Sequence, residues 1–176
     1  MEIRSISHQA NFILLILFFI GCKDSNEPSE VVNTQTISVT TTNVNVADIY
    51  YNLLSESQVE INDNWHIGIV KDTENYNMPS FIPGDLDIAV YEDIDFNELV
   101  QIPDSFQNDR IIDHSNFSYG SSHEVLSYDI SIHKVSVTNP NYVYVIISSG
   151  NAFKLQFLEY ISGITVFQFA SLEWED

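Results

Sequence analysis

Two histidines lie close together in the segment HSNFSYGSSH, residues 114–123, and the shape of this segment decides what they could bind. If a tight hairpin joined His114 and His123, their Cβ atoms would lie about 5 Å apart, a spacing that suits a metal ion. Gly120 and four serines favour an open loop instead, in which two rings could approach a flat ligand from opposite sides. A surface loop whose histidines bind nothing is equally consistent with this composition.

Motifs typical of enzymes are absent from the sequence. It contains no GxSxG, HExxH or P-loop pattern, and its one cysteine lies near the amino terminus. The many carboxylates show no spacing that would pair a general acid with a general base, and they are typical of a solvated surface. We therefore expect the protein not to be an enzyme.

The amino terminus has the pattern of a secretory signal. A short start with one arginine is followed by the apolar run NFILLILFFIG, residues 11–21, and then by Cys22. This run is too short for a membrane-spanning helix, which needs about 20 apolar residues. FIGC resembles a bacterial lipobox, in which the cysteine is acylated. We therefore expect residues 1–21 to be a lipoprotein signal peptide and Cys22 to carry the lipid.

The residues after Cys22 are polar and acidic, and 22–35 are predicted to form a flexible tether. The dipeptide Lys23-Asp24 resembles the short signal that directs lipoproteins of Bacteroidetes-type bacteria to the outer face of the outer membrane. The chain has a net charge of -19, and removal of residues 1–21 would not change it. Such a surface repels nucleic acid and anionic lipid headgroups, so membrane contact is expected through the lipid anchor alone.

Alternating apolar and polar residues predict a β domain over residues 36–176. The strand candidates are 36–46, 65–70, 86–94, 98–102, 124–137, 141–149, 152–161 and 164–174, with one possible helical turn at 95–99. Phe153, Leu155 and Phe157 fall on one face of their strand and are expected to point into the core. We predict an all-β fold, a single antiparallel domain that ends in a C-terminal meander and has few or no helices.

Several pieces of the chain occur in the order seen in one family of surface proteins. IYYNL precedes DNWHIGIV, and HKVSVTNPNYVYVI is followed by SGNAFKLQFLEYISGITVFQF. This order resembles the HmuY family, lipid-anchored haem-binding proteins of Bacteroidetes, over about residues 36–173. His66 departs from the family pattern, which usually has Asp after the Trp. The resemblance implies a mainly β hemophore that holds haem by two axial side chains and passes it to an outer-membrane receptor.

The resemblance makes four residues candidates for axial ligands, because haem iron accepts His or Met: His114, His123, His133 and Met78. We expect His114 and His123 to be the first pair, or one of them together with Met78 or His133. Loop histidines without a ligand, and a methionine that caps the core, are the alternatives. His66 lies in a predicted strand and is expected to be a packed or solvent-facing residue.

Neighbouring residues could complete a haem pocket. Phe117 and Tyr119 could stack on the porphyrin or belong to the core. Arg110 lies close to the histidines in sequence and could pair with a haem propionate. The basic residues of the expected domain that could form such a pair are Lys71, Arg110, Lys134 and Lys154.

The sequence is consistent with two functions from different classes. The first is haem capture for iron acquisition, in which a lipoprotein of the cell surface delivers haem to a TonB-dependent receptor. The second is a surface lipoprotein that binds a glycan or serves as a partner subunit of a TonB-linked transporter. The 9 tyrosines and 2 tryptophans, together with the carboxylates, would suit sugars. No metal other than haem iron is expected.

Overall fold

The structure is a computed structural model and describes residues 35–73 and 76–174. The strands, in chain order, are β1 (Ile37–Thr40), β2 (Ile49–Asn52), β3 (Ser57–Val59), β4 (Ile67–Asp72), β5 (Met78–Pro83), β6 (Asp87–Tyr91), β7 (Leu126–Asp129), β8 (Lys134–Val137), β9 (Val143–Ser148), β10 (Asn151–Ile161) and β11 (Ile164–Leu172). The helical elements are one turn of α-helix, α1 (Phe106–Asp109), and a 3₁₀ turn at His114–Phe117. The all-β prediction is confirmed. The expected signal peptide, Cys22 and the tether up to residue 34 lie outside the described residues.

The strands form two main sheets and a separate hairpin. One sheet has the order β1-β11-β10-β9-β6, the other has the order β3-β2-β4-β5, and β7 pairs with β8. Neighbouring strands in all three are antiparallel. The run β9-β10-β11 is the predicted C-terminal meander. Its first turn, Ser149-Gly150, has positive φ at both residues, as the right-handed twist of a two-residue hairpin favours.

The main core lies where the two sheets face each other. The edge of Tyr51 from β2 meets the ring of Phe167 from β11, with centroids 5.2 Å apart, and Phe81 from β5 meets Phe157 from β10 at 5.3 Å. The alternation in β10 therefore identifies its inner face correctly, because Phe157 and its two predicted companions are all buried. Edge-to-face rings of this kind add stability beyond the apolar area that they bury.

The other face of the meander is also covered, which its sequence does not predict. Apolar residues before and within α1, among them Phe96, Leu99 and Phe106, pack onto small side chains of β9, β10 and β11. Lys154, expected on the solvent side of β10, is consequently only 4% exposed. Its ammonium group donates to the carbonyl oxygens of Phe96 and Leu99, at 2.6 and 2.8 Å, and lies 4.5 Å from the centre of the Phe96 ring.

Two of the strand predictions are wrong. Residues 124–137 do not form one strand but the hairpin β7–β8, because a turn at 130–133 ends with His133 in the left-handed region, at φ 51°. Residues 98–102 form no strand and contribute one parallel bridge, between Gln101 and Glu173. The helical turn predicted at 95–99 is present, since Leu99 donates its backbone N–H to the carbonyl of Asp95. In the described ranges we find no helix that is long and apolar enough to cross a membrane.

Candidate functional site

The segment 114–123, which we call the histidine loop, is compact and irregular. It begins with the 3₁₀ turn, and the carboxylate of Asp113 accepts the backbone N–H of Ser115 at 3.0 Å. Hydrogen bonds from the side chain and the backbone N–H of Ser115 lower the pKa of the Asp113 carboxyl group. Near the end of the loop, the backbone N–H of His123 donates to the carbonyl of Asn116 at 3.0 Å. The loop is therefore not the tight hairpin that would pair His114 with His123 across two strands.

Two aromatic residues fix the histidine loop to the edge strand β5. Phe117 is fully buried in the main core, and the edge of its ring meets Phe81 at 5.6 Å. The hydroxyl of Tyr119 donates a hydrogen bond to the backbone carbonyl of Pro79. Burial raises the pKa of Tyr119, which keeps this hydroxyl protonated as a donor. Phe117 thus belongs to the core, and Tyr119 holds the loop in place.

This packing places the histidine loop on β5, the strand that begins with Met78. Met78 is the first residue of β5, it is half-buried, and it directly precedes the Pro79 carbonyl that Tyr119 holds. His114 and His123 are the two ends of the loop that Tyr119 anchors. Met78 lies 36 residues before His114 in the sequence, so only the packing of the loop on β5 brings their two elements together.

The imidazole nitrogens of the candidates differ in what they contact. Nδ1 of His123 is buried and has no hydrogen-bond partner among the described residues. The ring of His114 lies 6.2 Å from that of Phe117. His133 is exposed in the turn between β7 and β8, and its Nδ1 is 2.6 Å from the hydroxyl of Tyr128. Nδ1 of His123 is therefore buried and unpaired among the described residues, whereas Nδ1 of His133 already has a hydrogen-bond partner.

The basic residues are mostly engaged by the protein itself. Arg110 forms an ion pair with Asp87, with 3.0 Å between the nearest nitrogen and oxygen. The ammonium group of Lys71 donates to the carbonyl of Asn45 at 2.7 Å. Lys154 is buried, which corrects the expectation that it could pair with a haem propionate. Lys134 is exposed at the start of β8.

His66 is a packed residue, one of the two states expected for it. It lies just before β4, is 6% exposed, and its ring meets the edge of Phe153 at 5.7 Å. Its Nδ1 accepts the backbone N–H of Leu53 at 3.1 Å, and burial lowers the pKa of the imidazole. A neutral ring that accepts at Nδ1 carries its proton on Nε2. Neither nitrogen then has a lone pair to offer to iron.

One cavity lies away from the four predicted ligands. It has a volume of about 430 Å³ and is lined by residues that include Asp63, Trp65, His66 and Asp85. No sequence pattern marks this cavity, although the turn residues Pro83-Gly84-Asp85 predict that the chain folds back near this point. Within the described ranges, no group of three or more His, Cys, Asp or Glu side chains is placed to hold a metal ion.

Comparison with protein-family models, with curated proteins and with solved structures finds no match to this chain.

Proposed function

We propose that the protein captures haem between the histidine loop and the start of β5. The observation that carries the proposal is the hydrogen bond from Tyr119 to the Pro79 carbonyl, which holds a loop with a histidine at each end against the start of β5, where Met78 lies. Haem iron accepts both imidazole and thioether ligands, so this neighbourhood offers more than one axial pair.

His123 is the first ligand in this proposal. Its Nδ1 is buried without a partner among the described residues, and an unpaired buried nitrogen costs free energy that a bond to iron would recover. The second ligand is His114 or Met78. Because Nδ1 of His123 is not open to solvent, the loop has to shift for haem to enter, and its serines and Gly120 allow such a movement.

The acidic charge of the domain restricts how the two propionates of a bound haem could be oriented. Haem carries two propionates, and the domain carries an excess of acidic residues. Arg110 is close to the loop in sequence, but Asp87 already neutralises it. We therefore expect the propionates to point to solvent, and we expect binding to depend on iron coordination and on apolar contact with the porphyrin rather than on ion pairs.

The cellular role follows from the expected anchor. A lipid on Cys22 and an acidic tether would hold the domain at the surface of the outer membrane, within reach of a TonB-dependent receptor that takes over the haem. This part of the proposal rests on the sequence and on the resemblance to the HmuY family, because residues 1–34 lie outside the described structure.

A hemin titration of the purified full-length chain, kept in detergent, tests the proposal. We expect saturable binding with a sharpened and shifted Soret band, as two axial ligands give low-spin iron. His123→Ala should weaken binding by about tenfold or more, which corresponds to about 1.4 kcal/mol. His133→Ala is the matched control and should bind as the wild type does.

The second ligand is identified by two further variants. If His114→Ala lowers affinity and Met78→Leu does not, the pair is bis-histidine, and binding should be lost in acid because a protonated imidazole cannot coordinate iron. The reverse result assigns Met78. A titration without saturable spectral change would reject haem capture, and equal binding by His123→Ala and wild type would reject the proposed site.

A further inference from the structure

A second candidate site is the cavity beside His66, which we call the tryptophan cleft. It is lined by the turn before β4, which carries Asp63 and Trp65, by Asp85 after β5, and by Ser149 in the turn between β9 and β10. Its volume of about 430 Å³ lies within the range of small-molecule sites. It shares no residue with the histidine loop, so a ligand in the cleft would bind independently of haem capture.

A close backbone approach forms one wall of this cleft. Gly84 donates its N–H to the carbonyl of His66 at 2.8 Å. A Cβ atom at Gly84 would lie 2.6 Å from the carbonyl oxygen of Trp65, so any other residue would push these two segments apart. Because Gly84 permits the contact, the carboxylate of the next residue, Asp85, is brought to the same cleft as Trp65 and His66.

His66 supplies a hydrogen-bond donor to the cleft. Leu53 occupies its Nδ1, so the proton is on Nε2, and none of the described residues accepts a hydrogen bond from it. The side chain is more than nine-tenths buried and still lines the cleft. An oxygen atom of a ligand in the cleft would be placed to accept a hydrogen bond from this N–H.

Both tryptophans of the chain are held beside this cleft. The indole N–H of Trp65 donates to the carbonyl of Ile61 at 3.2 Å, and its ring packs on Tyr50 with centroids 5.1 Å apart. The indole N–H of Trp174 donates to the carbonyl of Gly150, also at 3.2 Å, while the side chain remains 53% exposed. Each indole thus has a hydrogen bond that orients it before a ligand arrives, and such preorganisation lowers the entropy cost of binding.

The two tryptophans belong to adjoining cavities. Trp174 lines a smaller one, of about 170 Å³, and Leu54 lines both. The turn Ser149-Gly150 also joins them, with Ser149 in the larger and Gly150 in the smaller cavity. A ligand with several units in a row could therefore contact one indole ring in each.

The side chains that line the two cavities favour one chemical class of ligand. Asp63 and Asp85 are acceptors for hydroxyl groups, His66 Nε2 is a donor, and indole faces pack well against the C–H faces of a sugar ring. Neither cavity has a lysine or arginine among its lining residues, and the domain is strongly acidic. From this geometry we propose that the tryptophan cleft binds a neutral oligosaccharide and excludes anionic ligands.

Intrinsic fluorescence tests this with the full-length chain, because one of its two tryptophans lines the cleft and the other lines the adjoining cavity. The neutral probes are maltoheptaose, cellohexaose, laminarihexaose and mannohexaose, and an oligogalacturonate of similar length is the anionic counterpart. We expect a saturable change in tryptophan emission with at least one neutral probe and none with the oligogalacturonate.

Calorimetric titrations of variants then locate the site. Trp174→Ala and Asp85→Ala both change exposed residues, and each should weaken binding of the active probe by about tenfold or more. Tyr128→Ala removes an exposed aromatic from the β7–β8 hairpin and should leave affinity unchanged. If no neutral probe gives a saturable signal, if the oligogalacturonate binds as well, or if both cleft variants bind as the wild type does, the proposal is wrong.

Discussion

Replacing Phe157 by alanine should be among the most damaging single changes in the domain. The side chain is fully buried between the two sheets, and its ring lies within 5.3 to 6.0 Å of those of Phe81, Tyr144 and Phe167. A buried Phe→Ala change costs about 3–5 kcal/mol. Each aromatic pair that is lost adds about 0.5–1.5 kcal/mol beyond burial, so we expect the upper end of that range, about 5 kcal/mol.

The next residue in the chain provides the matched control. Leu158 lies beside Phe157 but on the outer side of the sheet, and it is 37% exposed, so Leu158→Ala should cost less than about 1 kcal/mol. Urea unfolding of wild type and both variants, followed by circular dichroism, gives the free energies of unfolding from the midpoints and slopes. If the two variants differ by less than about 1 kcal/mol, the assignment of the inner face of β10 is wrong.

Three further predictions concern single residues. Burial lowers the folded-state pKa of His66 below its usual 6.5, so the stability that the neutral ring contributes is present above pH 6.5 and is lost as pH falls toward the folded pKa. Between pH 7 and 5 the free energy of unfolding of the wild type should fall by up to about 1.4 kcal/mol per pH unit more than that of His66→Gln. An equal dependence of the unfolding free energy on pH in the two proteins would refute this. Gly163→Ala should destabilise the protein more than Gly120→Ala, because both glycines have positive φ but only at Gly163 would the new methyl group collide with neighbouring side chains; equal urea midpoints would contradict the reasoning. Cys22→Ser should release the protein from the membrane fraction, and retention there would show that lipid on this cysteine is not the anchor.

The sequence alone determined the strands of the C-terminal meander and which of their faces points into the core. In β11, and in β10 up to the irregularity that follows Phe157, successive residues point to opposite faces, so the alternation that places Phe157 and Phe167 inside is a local property of the chain. The hairpin turns that link these strands are also local, because Gly150 and Gly163 permit the positive φ that each turn uses. Local rules failed at 124–137, where alternation continues through a turn and so resembles one long strand.

Only the tertiary structure decided what covers the outer face of the meander and which distant residues meet. Lys154 is buried because a segment more than fifty residues earlier in the chain packs over it, and alternation in β10 carries no information about that segment. The histidine loop meets the start of β5 through the hydrogen bond from Tyr119, and the cavities that Trp65 and Trp174 line adjoin each other at Leu54. Contacts of this kind depend on how whole elements pack, and the spacing of residues along a chain does not specify that packing.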